Sequence, residues 1–177
     1  MKISKTEIEG VLVVQLDQIN DSRGHFMRLF CSKNLADVLN DDLVNINISS
    51  NKFQGTFRGF HMQKEPHSEI KIVKCTKGKI IDIALDLRPE SKTYGKTYKI
   101  ELNSSNNRML IIPKGCAHAY LTLEDYSDVL YFVTEHYEPK SEVSILWSSV
   151  KNLELPFKPS FISDKDMSAL NISDYDG

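Results

Sequence analysis

The stretch IKIVKCTKGKIIDIALDL, residues 70–87, gives the clearest indication of the fold of this chain. Its first six residues alternate between apolar and polar, which is the pattern of a half-buried β-strand. Lys77 and Gly78 then give a turn signal. Residues 79–87 follow as a longer strand that is rich in β-branched side chains. The stretch therefore predicts two strands separated by a turn.

The same two-residue period continues on both sides of this stretch. It predicts further strands at residues 11–16, 43–48, 97–102, 109–113, 119–123 and 128–135. Short strands at regular spacing, with turns between them, are typical of an all-β sandwich or barrel. Helical patterns are confined to residues 32–39, where Ser32 would cap a short helix, and to one turn within residues 163–177. We expect one domain, residues 1–177, with short peripheral helices.

Composition narrows the class of protein. The 177 residues suit one domain, and 41% hydrophobic with 26% charged residues is ordinary for a globular protein. The net charge of −2 gives no basic face for nucleic acid, and no apolar run is long enough for a membrane-spanning helix. The start, MKISKTEIEG, has no apolar core of a secretory signal. Cys31, Cys75 and Cys116 form no CxxC pair, so we expect reduced thiols in a cytoplasmic protein.

A basic cluster is predicted around His61 in the segment FRGFHMQ. A histidine between apolar residues is most often a packed core residue. Arg58 and Lys71, however, would project from neighbouring strand segments. Three such side chains on one face are costly to bury unless they meet an anion, and phosphate is the natural one.

The segment PKGCAH places a tight turn directly before His118. Its PxGxxH spacing resembles the second sequence motif of cupins. Metal-binding cupins carry HxH in their first motif, which this chain lacks. A set made of His61, His67, Glu69 and His118 nevertheless offers nitrogen and oxygen ligands, although Lys71 beside a metal would be repelled.

Two tyrosines occur in the segment DVLYFVTEHY. By strand alternation, Tyr131 faces opposite to Leu130 and Phe132. A phenol on an interior face needs a polar partner, and in a pocket it can donate a proton. Tyr137 is expected to be an aromatic residue of the β-core.

Six segments together resemble, in order and spacing, the nucleotide-sugar 3,5-epimerases typified by dTDP-4-dehydrorhamnose 3,5-epimerase, an RmlC-type cupin family. The resemblance runs from about Asp21 to Asp166. The segments are DSRGHFMRLFC (21–31), NISSNKFQGTFRGFHMQ (47–63), EIKIVKCTKGKIIDIALDLRPESKTYGK (69–96), IPKGCAHAYLTLED (112–125), LYFVTEHYEP (130–139) and ISDKD (162–166).

This resemblance implies a cupin, or jelly-roll, barrel that needs neither a metal nor another cofactor. The family acts on nucleotide-diphosphate-linked 4-keto-6-deoxy sugars and inverts stereocentres next to the ketone. By the resemblance, His61 is the base and Asp166 is its carboxylate partner, with Asp164 as the nearby alternate. Tyr131 is the acid that reprotonates the sugar, and Lys71 lies near the C4 oxygen.

The resemblance also implies substrate contacts and a partner. The residues matching nucleotide or diphosphate contacts are Arg23, Phe26, Asn47 and Arg58, and the further polar positions of the pocket are His118, Asp82 and Glu142. The family is dimeric, and its N-terminal arm carries the positions of Arg23 and Phe26 into the partner's site. A homodimer with arm exchange is therefore expected, with no nucleic-acid or membrane partner.

Four residues depart from the family's pattern: His25, Arg28, Met62 and Glu69. Phenylalanine, glutamate, tyrosine and glutamine, respectively, are commoner there. Because these positions lie near the nucleotide and sugar contacts, a dTDP-rhamnose substrate does not follow. The chain is nearer to a branch for other capsule or lipopolysaccharide sugars, which includes GDP-linked 4-keto heptoses.

Three other functions remain open from the sequence. One is a metal-dependent cupin isomerase or dioxygenase, another is a non-catalytic sugar-binding cupin, and the last is a 3,4-ketoisomerase of the same fold. A binding protein would be expected to lose the base or the acid, and this chain keeps both.

Overall fold

Antiparallel β-strands are the main regular secondary structure of the computed structural model, which describes residues 1–176. Gly177, the last residue of the predicted domain, lies outside the described residues. The strands are β1 (Lys2–Lys5), β2 (Leu12–Gln15), β3 (Gln18–Asp21), β4 (Gly24–Met27), β5 (Asn45–Asn51), β6 (Phe57–Gln63), β7 (Lys71–Lys77), β8 (Lys79–Asp86), β9 (Thr97–Asn103), β10 (Arg108–Ile112), β11 (Cys116–Thr122), β12 (Ser127–Val133) and β13 (Glu142–Ser144). Single-turn helices are α1 (Ser32–Leu35) and α2 (Asp164–Met167), with short 3-10 helices at Trp147–Ser149 and Ile172–Asp174.

Two large sheets share these strands. One sheet has six strands in the order β1-β2-β10-β7-β12-β5, and the other has five in the order β13-β6-β11-β8-β9. The β3–β4 hairpin stands as a sheet of its own. The all-β prediction is confirmed, and each of the eight strands predicted from the two-residue period overlaps an observed strand. The strands β1, β3, β4 and β13 were not predicted, because all four are short and the first three are largely exposed. The segment FRGFHMQ, taken only as strand-like around His61, forms β6.

Apolar residues pack between the two sheets and on both outer faces. Between the sheets, Val73 and Val129 from the six-stranded sheet belong to one cluster with Ala84 and Leu102 from the other. The outer face of the five-stranded sheet is covered by side chains from the C-terminal third, including Trp147. The strands whose polar side chains point into the interior are therefore packed against apolar side chains on both faces.

The prediction for residues 32–39 is wrong in length and in its cap. The helix ends at Leu35, and Cys31 occupies the N-cap position without a side-chain hydrogen bond. Ser32 is already the first helical residue, so its hydroxyl is not in the capping position. The C-terminal helical turn is confirmed as α2, where Ser163 caps the helix by accepting a hydrogen bond from the Asp166 amide.

None of the helices within residues 1–176 is long and apolar enough to cross a membrane.

Candidate active site

A cavity between the two sheets is lined by His61 from β6, Lys71 from β7 and Tyr131 from β12. It has two lobes, of about 320 and about 280 Å³, which share these three side chains. Strand alternation brings them there. Lys71 lies on the same face of β7 as buried Val73, and Tyr131 lies on the same face of β12 as buried Val129. The predicted orientation of Tyr131 is confirmed.

The two lobes differ in charge. We call the larger one the acidic lobe, which is lined by Glu69, Glu135 and Glu142. The smaller one is the basic lobe, which is lined by Arg58, Lys165 and His118. The Lys165 ammonium lies 2.6 Å from a Glu142 carboxylate oxygen, so the two lobes meet at an ion pair.

A histidine–aspartate pair spans the edge of the cavity. The Nε2 atom of His61 lies 2.6 Å from Oδ1 of Asp166, a buried residue of α2. Burial alone would raise the pKa of Asp166, but hydrogen bonds from His61, Gly59 and Ser163 and the charge of His61 outweigh it, so this pKa is lowered. An ionised Asp166 accepts the Nε2–H hydrogen, which leaves Nδ1 of His61 free to take a proton.

The alternate partner, Asp164, is excluded by position. It opens α2 as an exposed residue and does not line either lobe, whereas Asp166 lines the basic lobe. A four-residue helix presents these two side chains in different directions, so only one can meet the histidine.

Gly59 allows β6 and β11 to approach each other next to this pair. Its φ is +126°, and a Cβ atom there would lie 2.4 Å from the Ala119 Cβ and 2.6 Å from the His118 carbonyl oxygen. Only glycine fits this position without moving the neighbouring strand. The close approach places His61 directly opposite His118 in the β6–β11 register.

A second histidine–aspartate pair lies deeper in the barrel. Nε2 of His118 is 2.7 Å from Oδ1 of Asp82, which is fully buried on β8. The other carboxylate oxygen of Asp82 is enclosed and has no hydrogen-bond partner among the described residues. Of the pair, only His118 lines the cavity.

Lys71 is held beside the first pair. Its Nζ atom donates to the His61 carbonyl oxygen at 3.1 Å and lies 3.0 Å from Oε1 of Glu69. Both side chains of this ion pair are largely buried, because only 13% of Lys71 and 6% of Glu69 is accessible. The ammonium group is thus held in place where the two lobes meet.

The expected core position of Tyr137 is wrong. Tyr137 is 62% exposed and lines the acidic lobe, where its hydroxyl donates to Glu142 at 2.8 Å. It lies beyond Val133, the last residue of β12, so strand alternation no longer applies to it. Burial would raise the pKa of Glu142, but the hydrogen bonds from Lys165 and Tyr137 outweigh it and lower this pKa.

The remaining predicted contacts divide into two groups. Asn47 lies opposite Tyr131 in the β5–β12 register and lines the acidic lobe, and Arg58 lines the basic lobe. The Nε atom of Arg58 donates to Asn51 at 2.9 Å, which orients the guanidinium group. Sequence reasoning missed Lys165, although its place beside Asp166 in the segment ISDKD is the signal that could have found it.

Arg23 and Phe26 do not line this cavity. Both belong to the β3–β4 hairpin, where the Arg23 side chain is 88% accessible and pairs with Asp21. Phe26 is 59% exposed. Within one chain, the structure does not bring these two residues to the other predicted contacts.

The side chains of the metal alternative do not form a ligand set. Within residues 1–176, no group of three or more His, Cys, Asp or Glu side chains is arranged to hold an ion. His61 and His118 each turn Nε2 toward an aspartate, and Glu69 pairs with Lys71. The proposed ligands are therefore engaged with different partners.

Comparison with known proteins identifies the family of this chain. The family model for dTDP-4-dehydrorhamnose 3,5-epimerase matches residues 5–174. The enzyme of that name from Shigella flexneri is 34% identical over 178 residues, which cover 99% of this chain and 98% of the relative.

Solved structures agree as well. The epimerase of Legionella pneumophila, in complex with dTDP-4-keto-L-rhamnose, superposes with a TM-score of 0.93 at 30% identity, covering 99% of this chain and 94% of that one. The epimerase of Sulfolobus tokodaii gives a TM-score of 0.90 at 35% identity, covering 98% and 97%. These similarities confirm the cupin-type jelly roll. The chain therefore belongs to the dTDP-4-dehydrorhamnose 3,5-epimerase family and is an isomerase, a sugar-nucleotide epimerase.

Proposed function

We propose that this protein inverts C3 and C5 of a nucleotide-diphosphate-linked 4-keto-6-deoxy sugar. One observation carries the proposal: a histidine backed by a carboxylate, a lysine and a tyrosine line a single cavity. That set contains a base, an oxyanion partner and an acid, which are the groups that epimerisation next to a ketone requires. The sugar-nucleotide class follows from the family, whereas the residue roles are our proposal.

The reaction begins with proton removal by His61. Nδ1 of His61 takes the proton from C3 or C5. The C–H electron pair then forms a double bond to C4, while the π electrons of the carbonyl move to the C4 oxygen. The Lys71 ammonium stabilises the resulting oxyanion. Asp166 keeps the imidazole in the tautomer that can accept a proton and stabilises it once charged.

Inversion is completed by proton delivery from the opposite face. The Tyr131 hydroxyl gives its proton to the same carbon, the double bond returns to the C4 carbonyl, and solvent restores both the phenol and the neutral histidine. No electrons are gained or lost, so the chemistry calls for no redox cofactor. His118 is a polar contact of the sugar, and Asp82 orients its ring from behind.

Phosphate binding is assigned to the basic lobe. Arg58 and Lys165 supply its positive charge, and Arg58 is oriented by Asn51. Glutamates line the opposite lobe and would repel a diphosphate. The nucleotide is dTDP or GDP. We propose a place in capsule or lipopolysaccharide sugar biosynthesis in the cytoplasm, with residues 1–177 acting as one domain.

A homodimer would complete the site. The β3–β4 hairpin exposes Ile19 and Phe26, and the edge strand β5 exposes Ile46 and Ile48 on the face turned away from the cavity. Large apolar side chains on an edge strand favour association with another chain. Since Arg23 and Phe26 do not reach their own cavity, we propose that they reach the partner's.

The dimer has its own test. Phe26→Asp should shift the sedimentation coefficient toward that of a monomer and weaken substrate affinity, while thermal unfolding stays near that of the native protein. A fully active native monomer in sedimentation experiments would contradict this part of the proposal.

The reaction is tested by incubating the protein with dTDP- and GDP-linked 4-keto-6-deoxy sugars in deuterium oxide. NMR and mass spectrometry then count the deuterons at C3 and C5. We expect one deuteron at each carbon and an epimerised product. A product with its carbonyl moved to C3 would indicate a ketoisomerase, and the absence of exchange from every sugar would overturn the proposal.

A further inference from the structure

A buried carboxylate beside the central lysine has one oxygen without a partner. Glu69 lines the cavity and is only 8% exposed. Oε1 pairs with Lys71 at 3.0 Å, whereas Oε2 is enclosed and accepts no hydrogen bond from any described residue. A buried acceptor left unsatisfied is destabilising, and more so when it is charged, so such an atom calls for an explanation.

A ligand group could satisfy this oxygen if the carboxylate turned it from its enclosed position toward the cavity. The terminal torsion of a glutamate is broad, which permits such a turn. An ionised carboxylate accepts hydrogen bonds and donates none. The group that meets it must therefore be a donor, such as a hydroxyl, and neither a phosphate nor a carbonyl oxygen.

The position of Lys71 identifies which hydroxyl this is. Under the proposed function, on which this inference rests, Lys71 meets the C4 oxygen of the sugar. Of the two carbons next to C4, C3 carries a hydroxyl, whereas C5 carries the carbon C6 and the ring oxygen. Of the groups on these two carbons, only the C3 hydroxyl can therefore donate to a carboxylate that lies 3.0 Å from the lysine.

We propose that Glu69 is a specificity-determining residue that accepts the C3 hydroxyl of the sugar and thereby aligns the C3 hydrogen with His61. C5 gains nothing comparable from this contact. Since small errors in alignment reduce the rate of proton transfer steeply, the contact controls inversion at C3 more than at C5.

The inference is tested by the ratio of deuterium exchange at C3 and C5 within one substrate molecule, because that ratio cancels any change in overall affinity. In Glu69→Leu, we expect the C3/C5 ratio to fall by roughly 10-fold or more, the range for a lost hydrogen bond to a charged group. Glu69→Gln keeps an amide oxygen as acceptor, so its C3/C5 ratio should lie between those of the native protein and Glu69→Leu. Glu124→Gln removes a carboxylate that pairs with Lys79 outside the cavity, and it should keep the native ratio.

A second measurement needs no variant. A 3-deoxy 4-keto sugar nucleotide lacks the donor that Glu69 accepts, so its C3/C5 exchange ratio in the native protein should be roughly 10-fold or more below that of the hydroxylated sugar. Equal ratios for the two sugars, or an equal loss at both carbons in Glu69→Leu, would overturn the inference. Absence of exchange at both carbons in the native protein would instead overturn the proposed function.

Discussion

The histidines of the two histidine–aspartate pairs lie on neighbouring strands of one sheet, yet they differ in burial and in where their aspartates come from. The His61 side chain is 31% accessible and the His118 side chain is 10% accessible. The partner of His61 comes from a helical turn 105 residues further along the chain, whereas the partner of His118 is on the adjacent strand β8. The same short contact, 2.6 or 2.7 Å, therefore occurs in two different settings.

The setting decides what each pair can do. His61 lines both lobes with Lys71 and Tyr131, so a ring nitrogen can meet a substrate carbon between them. His118 lines the basic lobe only, and its aspartate is fully buried. A short histidine–aspartate contact is thus not evidence of a base by itself. The two pairs are distinguished by the greater accessibility of His61 and by its place in both lobes.

The largest expected effect is the loss of the accessible histidine. His61→Ala should abolish deuterium exchange at both C3 and C5, because one base starts each enolate. Circular dichroism should remain near native, since the side chain is only partly buried, whereas thermal unfolding should occur at a lower temperature because buried Asp166 loses its partner. Exchange at a nearly native rate in this variant would assign the base elsewhere.

Removing the facing hydroxyl should separate exchange from inversion. Tyr131→Phe keeps the ring volume, so exchange should survive in part, while epimerised product falls by about 10²–10⁴-fold, the range for a lost general acid. C5 should lose more than C3 if water reaches the enolate at C3. Product formation at the native rate at both carbons would mean that Tyr131 is a packing residue.

The comparison of the two carboxylates gives a smaller expected effect. Asp166→Asn should lower kcat by about 10²-fold at both carbons, because the amide favours the wrong tautomer of His61. Asp82→Asn should lower it by roughly 10-fold at most, because His118 is a contact and not the base. Measuring kcat and KM for both variants with one substrate tests this order. Equal losses would remove the distinction between the pairs.

The smallest effect concerns acid stability. The folded state lowers the pKa of Asp166, so this residue adds stability above the unfolded pKa, and that contribution is lost as pH falls through the folded pKa. The variant Asp166→Asn lacks this pH-dependent contribution to stability. Its free energy of unfolding should therefore decline less from neutral to acid pH than that of the native protein, as urea titrations at each pH would show. A steeper decline in the variant would contradict the assigned ionisation.

Much of the fold could be predicted from the sequence because strand alternation is a local property. The run IKIVKCTKGKIIDIALDL became β7, a turn at Gly78 and β8, and the direction of Tyr131 followed from its neighbours. The core position predicted for Tyr137 was wrong because this residue lies past the end of its strand, where the two-residue period no longer applies. The predicted N-cap of α1 was wrong because the cap and the first helical residue are neighbours in the chain, and sequence does not fix a helix end to within one residue.

Predicting the site would require distances between residues far apart in the chain, which no local sequence pattern contains. The resemblance indicated His61 and Asp166, but only packing shows which of two nearby aspartates meets the ring. The unpaired oxygen of Glu69 is likewise a property of the folded cavity. Arg23 and Phe26 show the limit of one chain, because their predicted roles depend on a second copy.

The proposed reaction depends on His61 as the base and on Nδ1 as its free nitrogen. The most direct measurement is NMR of isotope-labelled histidine ring nitrogens at neutral pH, with the His61 signals identified by their loss in His61→Ala. We expect a hydrogen on Nε2 and an unprotonated Nδ1 in the native protein. A His61 ring that carries its hydrogen on Nδ1 would contradict it.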